Sequence, residues 1–292
     1  MTSLAMILIF PSTFMHAGWN LLARKHRSEE VFFGRMLALI VLIGLVPTIW
    51  SEVVTQSIPP KAWLCVMGSG FFCGLYFYFL ARSYKVADFT TVYPLARALP
   101  VLLVGVGDIL RGMSPTFTGW IGIFLVFLGC ILSPAYSFRI PSIRSYLTKA
   151  NLMILAAALG TVGYTLLDKI ASEVIQQGPA TAARYGYMFL AIAFVTYTVI
   201  FRLFRIRGES KDSIGWPIPL LAACLNFGSY WLVLWAYQLS QRASYVLAFR
   251  QFSIVIGVIM AFAIYKESGK LVRLTAVLFI TAGLLLIGFV SG

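Results

Sequence analysis

The sequence is poor in the side chains on which most enzymes depend. It has only two histidines, His16 and His26, and four cysteines among 292 residues. No cysteine forms a CxxC pair or lies near a histidine, so the sequence predicts neither a disulfide framework nor a metal site. It also has no Gly-rich phosphate loop, no Ser/His/Asp grouping and, inside its apolar runs, no two carboxylates within one helical turn. These absences predict a protein that is not an enzyme and uses no cofactor.

Charged residues are also few, at 11%, whereas 60% of residues are hydrophobic and the mean hydropathy is +0.88. The apolar residues form ten runs, at 4–23, 31–50, 62–81, 89–110, 116–136, 152–167, 180–201, 214–239, 243–265 and 271–290. Most runs reach the roughly 20 residues that cross a hydrocarbon core of about 30 Å. Helices are expected because lipid offers the backbone no hydrogen-bond partner. The sequence therefore predicts an all-α integral membrane protein with ten transmembrane helices.

Acidic residues number 10 against 23 Lys and Arg, which gives a net charge of +13. Connections after odd-numbered runs hold 15 of the 23, if Arg273 at the start of the tenth run is counted with the ninth connection, and connections after even-numbered runs hold 4. Loops rich in Lys and Arg stay cytoplasmic, so the count predicts cytoplasmic odd-numbered loops and both termini outside. The positive charge then meets anionic lipid headgroups and is not a nucleic-acid surface.

The two halves of the sequence resemble each other. The matches are 18–22 (GWNLL) with 163–167 (GYTLL), Arg35 with Arg184, and Arg97 with Arg250. Each half holds five runs, an odd number, so the second half must enter the membrane inverted relative to the first. The sequence thus predicts a 5+5 inverted-topology repeat, with one five-helix unit at 1–141 and the other at 146–292. Such repeats are typical of secondary transporters, which bind substrate near the midplane and expose it to each side in turn.

Several segments, in order, are similar to those of the EamA-type transporters of the drug/metabolite transporter (DMT) superfamily. They are 16–25 (HAGWNLLARK), Tyr93-Pro94, Ala98-Leu99-Pro100, Asp108, 265–267 (YKE), and the glycines Gly119, Gly122, Gly129, Gly283 and Gly288. The resemblance covers the whole chain and implies ten helices in a 5+5 duplication. It also implies that the fourth and ninth helices line a central cavity. Members are usually drawn with cytoplasmic termini, the opposite of the charge count.

Arg97 and Arg250 are the sharpest candidates for a binding site. An arginine near the middle of a spanning helix is costly and normally faces a polar cavity or a partner. A guanidinium suits a carboxylate, phosphate or phosphonate, which it holds through two parallel hydrogen bonds. The alternative is structural pairing with backbone carbonyls or with Asp88, Asp108 or Asp168.

His16, Trp19 and Asn20 share one face of the first predicted helix. Small multidrug resistance proteins, distant relatives of the resembled family, have a glutamate at the place that His16 occupies. A histidine titrates near neutral pH, so His16 is a candidate for proton coupling. It is equally compatible with a packing role.

Other polar and aromatic residues complete the predicted cavity, and two prolines shape it. The predicted lining comprises Trp19, Asn20, Tyr76, Tyr93, Tyr164, Thr165, Asn226, Tyr230, Trp231 and Gln251. Asn226 and Gln251 are costly in lipid unless they face polar groups. Pro94 and Pro100 are expected to kink the fourth helix. Arg35 and Arg184, close to helix ends, are expected to snorkel to the interface.

These observations predict a secondary transporter in the inner membrane that moves a small anionic or zwitterionic metabolite by alternating access. Amino acids, carboxylates and organic phosphates or phosphonates fit this class. Export is implied by the resemblance alone. The rival hypotheses are an exporter of hydrophobic or cationic drugs and a lipid-linked headgroup flippase. The expected partners are the substrate and membrane lipid, with proton coupling possible in principle, and the chain is expected to act as a monomer or homodimer.

Overall fold

A computed structural model describes residues 1–24, 29–86, 89–133, 149–204, 215–256 and 270–290, which are helical almost throughout and contain no strand. The helices in these ranges are α1 Ser3–Arg24, α2 Glu29–Thr55, α3 Pro60–Val86, α4 Phe89–Leu110, α5 Phe117–Leu132, α6 Lys149–Val174, α7 Pro179–Leu203, α8 Pro217–Gln238, α9 Ala243–Arg250 and α10 Lys270–Leu285. A π-helical turn, Leu286–Val290, extends α10.

Seven of the described segments are long and apolar enough to cross a membrane. They are Ser3–Ala23, Glu30–Thr55, Pro60–Ser83, Asn151–Val174, Pro179–Leu203, Pro217–Gln238 and Leu271–Val290. Two shorter apolar helices, Phe117–Leu132 and Ala243–Ile256, lie among them. The chain is a multi-pass, all-helical membrane protein, and the exact count of ten spans stays a prediction.

Several helices begin at ordinary start signals. Thr116 precedes α5 in an extended conformation, and its side chain accepts a hydrogen bond from the N–H of Gly119 at 3.1 Å. Proline opens α7 and α8, at Pro179 and Pro217. Proline is suited to the first helical turn because the N–H that it lacks has no intrahelical acceptor there. These short polar starts separate consecutive apolar helices.

Packing between the first five helices and the last five is reciprocal. Helix α1 packs on α8 and α3 packs on α6; α2 packs on α7, α4 on α9 and α5 on α10. If each of the first five helices corresponds to the helix five places later, the contact of α3 with α7 has its counterpart in the contact of α2 with α8. A two-fold relation between two five-helix halves requires this reciprocity, so the packing supports the predicted inverted repeat.

Helices α5 and α10 approach each other at glycines. A Cβ added at Gly122 would lie 2.7 Å from the carbonyl oxygen of Gly283, and one added at Gly283 would lie 2.5 Å from that of Gly122. Small residues let membrane helices approach to backbone contact, where dispersion rather than water exclusion holds them together. These two glycines were picked out from the sequence, and the structure places them against each other.

Candidate substrate site

His16, on α1, lies between two guanidinium groups in the interior of the protein. An Nη of Arg97, from α4, contacts the Nε2 atom of the imidazole. The Nη2 atom of Arg250, from α9, lies 3.1 Å from Nδ1. Trp19 also donates to Nδ1, over 3.2 Å. Three helices therefore converge on one buried ring, and Arg97, Arg250 and Trp19 all bring hydrogen-bond donors to its nitrogens.

The imidazole of His16 cannot satisfy all of these donors. A neutral histidine has one acceptor nitrogen and one N–H, and its charged form has no acceptor. The contacts with Arg97, Arg250 and Trp19 thus put more donors and more positive charge at this point than the ring can accept. An anion placed here would supply the missing acceptor atoms.

Arg250 is the least satisfied of these groups. It is 3% exposed, its Nε has no hydrogen-bond partner, and no carboxylate of the described residues forms an ion pair with it. Its guanidinium lies 5.0 Å from the ring centroid of Tyr230, in a cation–π contact. Burying a charge without an opposite charge is expensive, and an aromatic face offsets only part of that cost. Arg250 is therefore prepared to receive an anion.

Arg97 is held by polar groups of α9. Its Nε donates to the side-chain oxygen of Gln251 at 2.8 Å, and Nη2 lies 3.4 Å from the carbonyl oxygen of Arg250. Around Gln251 the backbone tightens: its N–H bonds to Ala248 at 2.9 Å, and Ile254 bonds to Gln251 at 2.8 Å, each three residues back. Local tightening of this kind is a common feature of hinges and of transporter binding sites.

A closed cavity of about 20 Å³ adjoins these residues. Tyr164, Tyr76 and Tyr230 form an aromatic wall of this cavity. The ring centroid of Tyr164 lies 5.8 Å from that of Tyr76 and 5.7 Å from that of Tyr230. The Oδ1 atoms of Asn20 and Asn226 are buried nearby without a hydrogen-bond partner. This volume suffices for about one water molecule. A larger ligand requires the surrounding helices to separate.

Most of the residues predicted to form the site come together. The residues that meet at or beside the cavity are His16, Trp19, Asn20, Arg97, Tyr164, Asn226, Tyr230, Arg250 and Gln251. The side chains of Tyr93 and Pro94 lie outside the described part of the structure. Pro100 lies within α4, which is helical from Phe89 to Leu110. The kink stays a prediction.

Three peripheral residues have partners elsewhere. The indole of Trp231, which belongs to the predicted lining, donates to the carbonyl oxygen of Pro179 at 2.7 Å, and Trp231 does not line the small cavity beside His16. Arg35 lies 4.9 Å from the ring of Trp216. Arg184 lies 3.1 Å from a carboxylate oxygen of Glu52 and also donates to neighbouring hydroxyls.

Sequence reasoning missed the position of Asp168. This fully buried carboxylate accepts hydrogen bonds from Ser69 and Tyr185, the latter at 2.8 Å, and from Tyr230 at 2.5 Å. One signal was available in the repeat. The segments 18–22 and 163–167 match, but the residue after 18–22 is Ala23 and the residue after 163–167 is Asp168. A charge that one repeat has and the other lacks points to a task specific to one half.

A polar vestibule of about 750 Å³ opens beside the α8–α9 connection. Below it, Asp108 accepts from the N–H of Ser244 at 2.8 Å and from Arg111 at 2.6 Å. Arg111 and Lys169 both pair with Glu173, the latter at 3.1 Å. This ionic cluster joins the ends of α4 and α6 to the start of α9.

The opposite end of the bundle also has a buried ion pair. Arg82, on α3, pairs with Glu30, on α2, at 2.8 Å and donates to the carbonyl oxygen of Phe204 at 2.9 Å. The hydroxyl of Tyr197 donates to the backbone of Glu30 at 2.7 Å. Helices α2, α3 and α7 are thereby tied together where the chain leaves the bundle.

A lateral groove of about 430 Å³ runs between α2, α7 and α8. It is lined largely by apolar side chains, and Arg184 lies within its lining. The groove and the cavity at His16 share no lining residue. The groove is therefore a feature of the lipid-facing surface, separate from the candidate site.

Comparisons with known proteins agree with this architecture. Twenty-six chains from solved structures match the fold. One of them, the crystal structure of a protein 13% identical in sequence, superposes with a TM-score of 0.72 and covers 100% of this chain and 98% of its own. No curated protein matches the sequence. The sequence pattern of the EamA-like transporter family matches twice, at residues 3–133 and 148–289. With two EamA repeats spanning nearly its full length, the chain belongs to the EamA-like transporter family.

Proposed function

We propose that this transporter carries a small anionic or zwitterionic metabolite across the inner membrane by alternating access. Amino acids, carboxylates, organic phosphates and phosphonates form the proposed class, and export is the proposed direction by analogy with the family. The single observation behind the choice of charge is Arg250, a buried cation with no carboxylate partner among the described residues. A substrate carboxylate or phosphonate supplies that partner.

The unsatisfied amides favour zwitterions within this class. The Oδ1 atoms of Asn20 and Asn226 are buried acceptors without donors. An ammonium group has three N–H donors and no acceptor, so it matches them, while the acidic group of the same molecule binds the arginines. A site that presents donors on one side and acceptors on the other suits an amino acid.

Alternating access is supported by ion pairs at both ends of the bundle. The Asp108–Arg111–Glu173–Lys169 cluster lies toward the vestibule, and the Glu30–Arg82 pair lies at the other end. We propose that each breaks in turn as the two halves rock. No chemical step is needed, and a monomer suffices, although a homodimer is compatible with the same site.

The rival functions fit less well. A cationic drug would meet two guanidinium groups at His16, whose charges repel it. A headgroup flippase needs a cavity that opens sideways to lipid, and the lateral groove shares no residue with the central cavity. The ligand-binding experiment described next tests both rival functions as well.

Thermal unfolding of the purified protein tests the proposal. The ligand panel comprises amino acids, carboxylates, phosphonates, organic phosphates, methanesulfonate and quaternary amines. A ligand of the folded state adds about 2.7 kcal/mol of stability at a hundred times its dissociation constant. We expect stabilisation by anions or zwitterions, and we expect Arg97→Ala to lose it.

Arg35→Ala is the matched control, since it removes the same side chain from a position against Trp216. It should retain the ligand response. Stabilisation by amines alone would replace the proposal with the drug exporter. No stabilisation by any member, or an unchanged response in Arg97→Ala, would contradict it.

A further inference from the structure

Asp168 is a buried carboxylate at the centre of the bundle that the proposed binding site does not use. It is 0% exposed and accepts hydrogen bonds from three hydroxyls, on α3, α7 and α8. No Lys or Arg of the described residues forms an ion pair with it. A carboxylate in this position is stabilised by hydrogen bonds alone, so its charged and neutral forms are closer in free energy than they are for an ion-paired acid.

Tyr230 connects Asp168 to the proposed binding site. Its hydroxyl donates a hydrogen bond to Asp168 at 2.5 Å, and its ring makes a cation–π contact with the guanidinium of Arg250, 5.0 Å from the ring centroid. Arg250 is also near enough to Asp168 to attract its negative charge. An event at either charged group therefore reaches the other through one side chain.

The groups that face Asp168 are few in the described structure. They are Cys65, Ser69 and Cys73 from α3, Tyr185 from α7, Tyr230 and Tyr237 from α8, and Arg250 from α9. Thiols and phenols are neutral near pH 7. On α6 itself, Lys169 turns away toward Glu173 and the carbonyl oxygen of Tyr237. Burial and the three hydroxyl donors act on Asp168 most strongly, and Arg250 is the one group in this set that carries a full charge near pH 7.

We propose that Asp168 is a proton-binding site whose occupancy is coupled to the substrate anion. When an anion binds Arg250, it neutralises the cation that favours the charged carboxylate and adds a negative charge nearby. Both effects favour uptake of a proton by Asp168. By reciprocity, a proton on Asp168 strengthens anion binding by the same factor. An anion leaving the cell down its own gradient then takes a proton with it.

The residue that follows Asp168 borders the vestibule. Lys169 lines that space with Glu173 and Gln238, while Asp168 itself is fully buried. We propose that protons reach Asp168 from this side when the Lys169–Glu173 pair separates. His16 is the alternative proton carrier, but a proton there would lie against two guanidiniums.

Proton uptake on anion binding tests the inference, which rests on the proposed function. The probe is whichever of methanesulfonate, acetate and succinate binds the purified full chain most tightly. Titration calorimetry in two buffers of different ionisation enthalpy counts the protons taken up. Between about pH 6 and 8 we expect the wild type to take up a fraction of a proton for each anion bound. This uptake should be lost in Asp168→Asn and retained in His16→Gln.

Glu52→Gln is the matched control, because Glu52 is also a buried carboxylate but contacts Ser57, Ile58 and Arg184 away from the site. It should take up protons as the wild type does. Uptake unchanged in Asp168→Asn, or lost in His16→Gln instead, would overturn the inference. So would a wild type that binds the probe without taking up protons.

Two further results separate the possible failures. If none of the panel anions binds the wild type, the proposed function itself fails; if they bind without proton uptake, only the inference does.

Should Asp168→Asn not fold, Tyr185→Phe serves in its place, since it removes one hydrogen-bond donor to the carboxylate and leaves the acid. The pH profile of uptake should then move toward higher pH, and an unmoved profile would overturn the inference.

Discussion

At the scale of single residues, the site is defined by what its polar groups lack. Arg250 lacks an anion, and the amide oxygens of Asn20 and Asn226 lack donors, although all are buried. Buried polar groups are normally satisfied, and exceptions call for a ligand, a water or a functional role. Here the unsatisfied groups include both a cationic donor and amide acceptors, the two kinds of partner that a zwitterion requires.

Asn226→Leu should separate amino acids from simple carboxylates. The change removes an acceptor that faces the proposed ammonium site and leaves both arginines in place. A hydrogen bond to a charged group is worth about 1.5–3 kcal/mol, so amino-acid affinity should fall roughly 10- to 100-fold. Affinity for a carboxylate without an amine should stay within a few fold. Calorimetric titration of both ligands measures the ratio, and an equal loss for both would exclude the ammonium contact.

The sequence was informative about these residues because polarity inside an apolar run is conspicuous. Arg97, Arg250 and His16 stood out in this way, and all three meet in the fold. Asp168 was noticed only as a potential partner for an arginine, since it follows the end of its predicted run at 152–167. The helix in fact continues to Val174 and buries it. Helix ends are where hydropathy is least decisive, because hydrogen bonding and packing, not composition, fix the last turns.

At the scale of helices, close approach depends on the absence of side chains. Gly283→Ala should destabilise the protein, because its Cβ would lie 2.5 Å from the carbonyl oxygen of Gly122 and force α5 and α10 apart. Overpacking of this kind costs about 1–3 kcal/mol. The unfolding temperature in detergent measures the change.

Gly34→Ala is the control for this helix crossing. Gly34 also lies inside a helix, α2, but its added Cβ would be 3.6 Å from the nearest atom, on Tyr197. Alanine favours the helix over glycine by up to about 1 kcal/mol, so this variant should be neutral or more stable. Equal losses in both variants would mean that the Gly122–Gly283 contact has no special importance.

The tightening of α9 at Gln251 was not foreseen from the sequence. The run at 243–265 contains no proline or glycine near Arg250, so composition gave no reason to interrupt the helix. The cause is tertiary: the side chain of Gln251 accepts from Arg97 while its amide bonds back to the carbonyl oxygen of Leu247 at 3.2 Å. Contacts between helices can override local preference, and such contacts are not visible in one helix's sequence.

At the scale of the whole molecule, the reciprocal packing explains how one duplicated sequence builds an asymmetric site. The symmetric pair Arg97 and Arg250 comes from α4 and α9, which contact each other. His16 and Asp168, from α1 and α6, have no equivalent in the other half. The repeat thus supplies the framework and the paired cations, and divergence between the halves supplies the groups that distinguish substrate from proton.

The orientation in the membrane remains a prediction of the charge count, and it conflicts with the usual arrangement of the resembled family. Ser114 lies exposed in the α4–α5 connection, and Ser210, outside the described residues, lies in the basic connection before α8. Single Ser114→Cys and Ser210→Cys variants, each in a Cys224→Ser background, should respond differently to a membrane-impermeant maleimide. Because basic loops stay cytoplasmic, we expect labelling of the first in intact cells and of the second only after permeabilisation. The reverse pattern would place the termini in the cytoplasm and show that the family arrangement prevails over the 15-to-4 distribution of Lys and Arg.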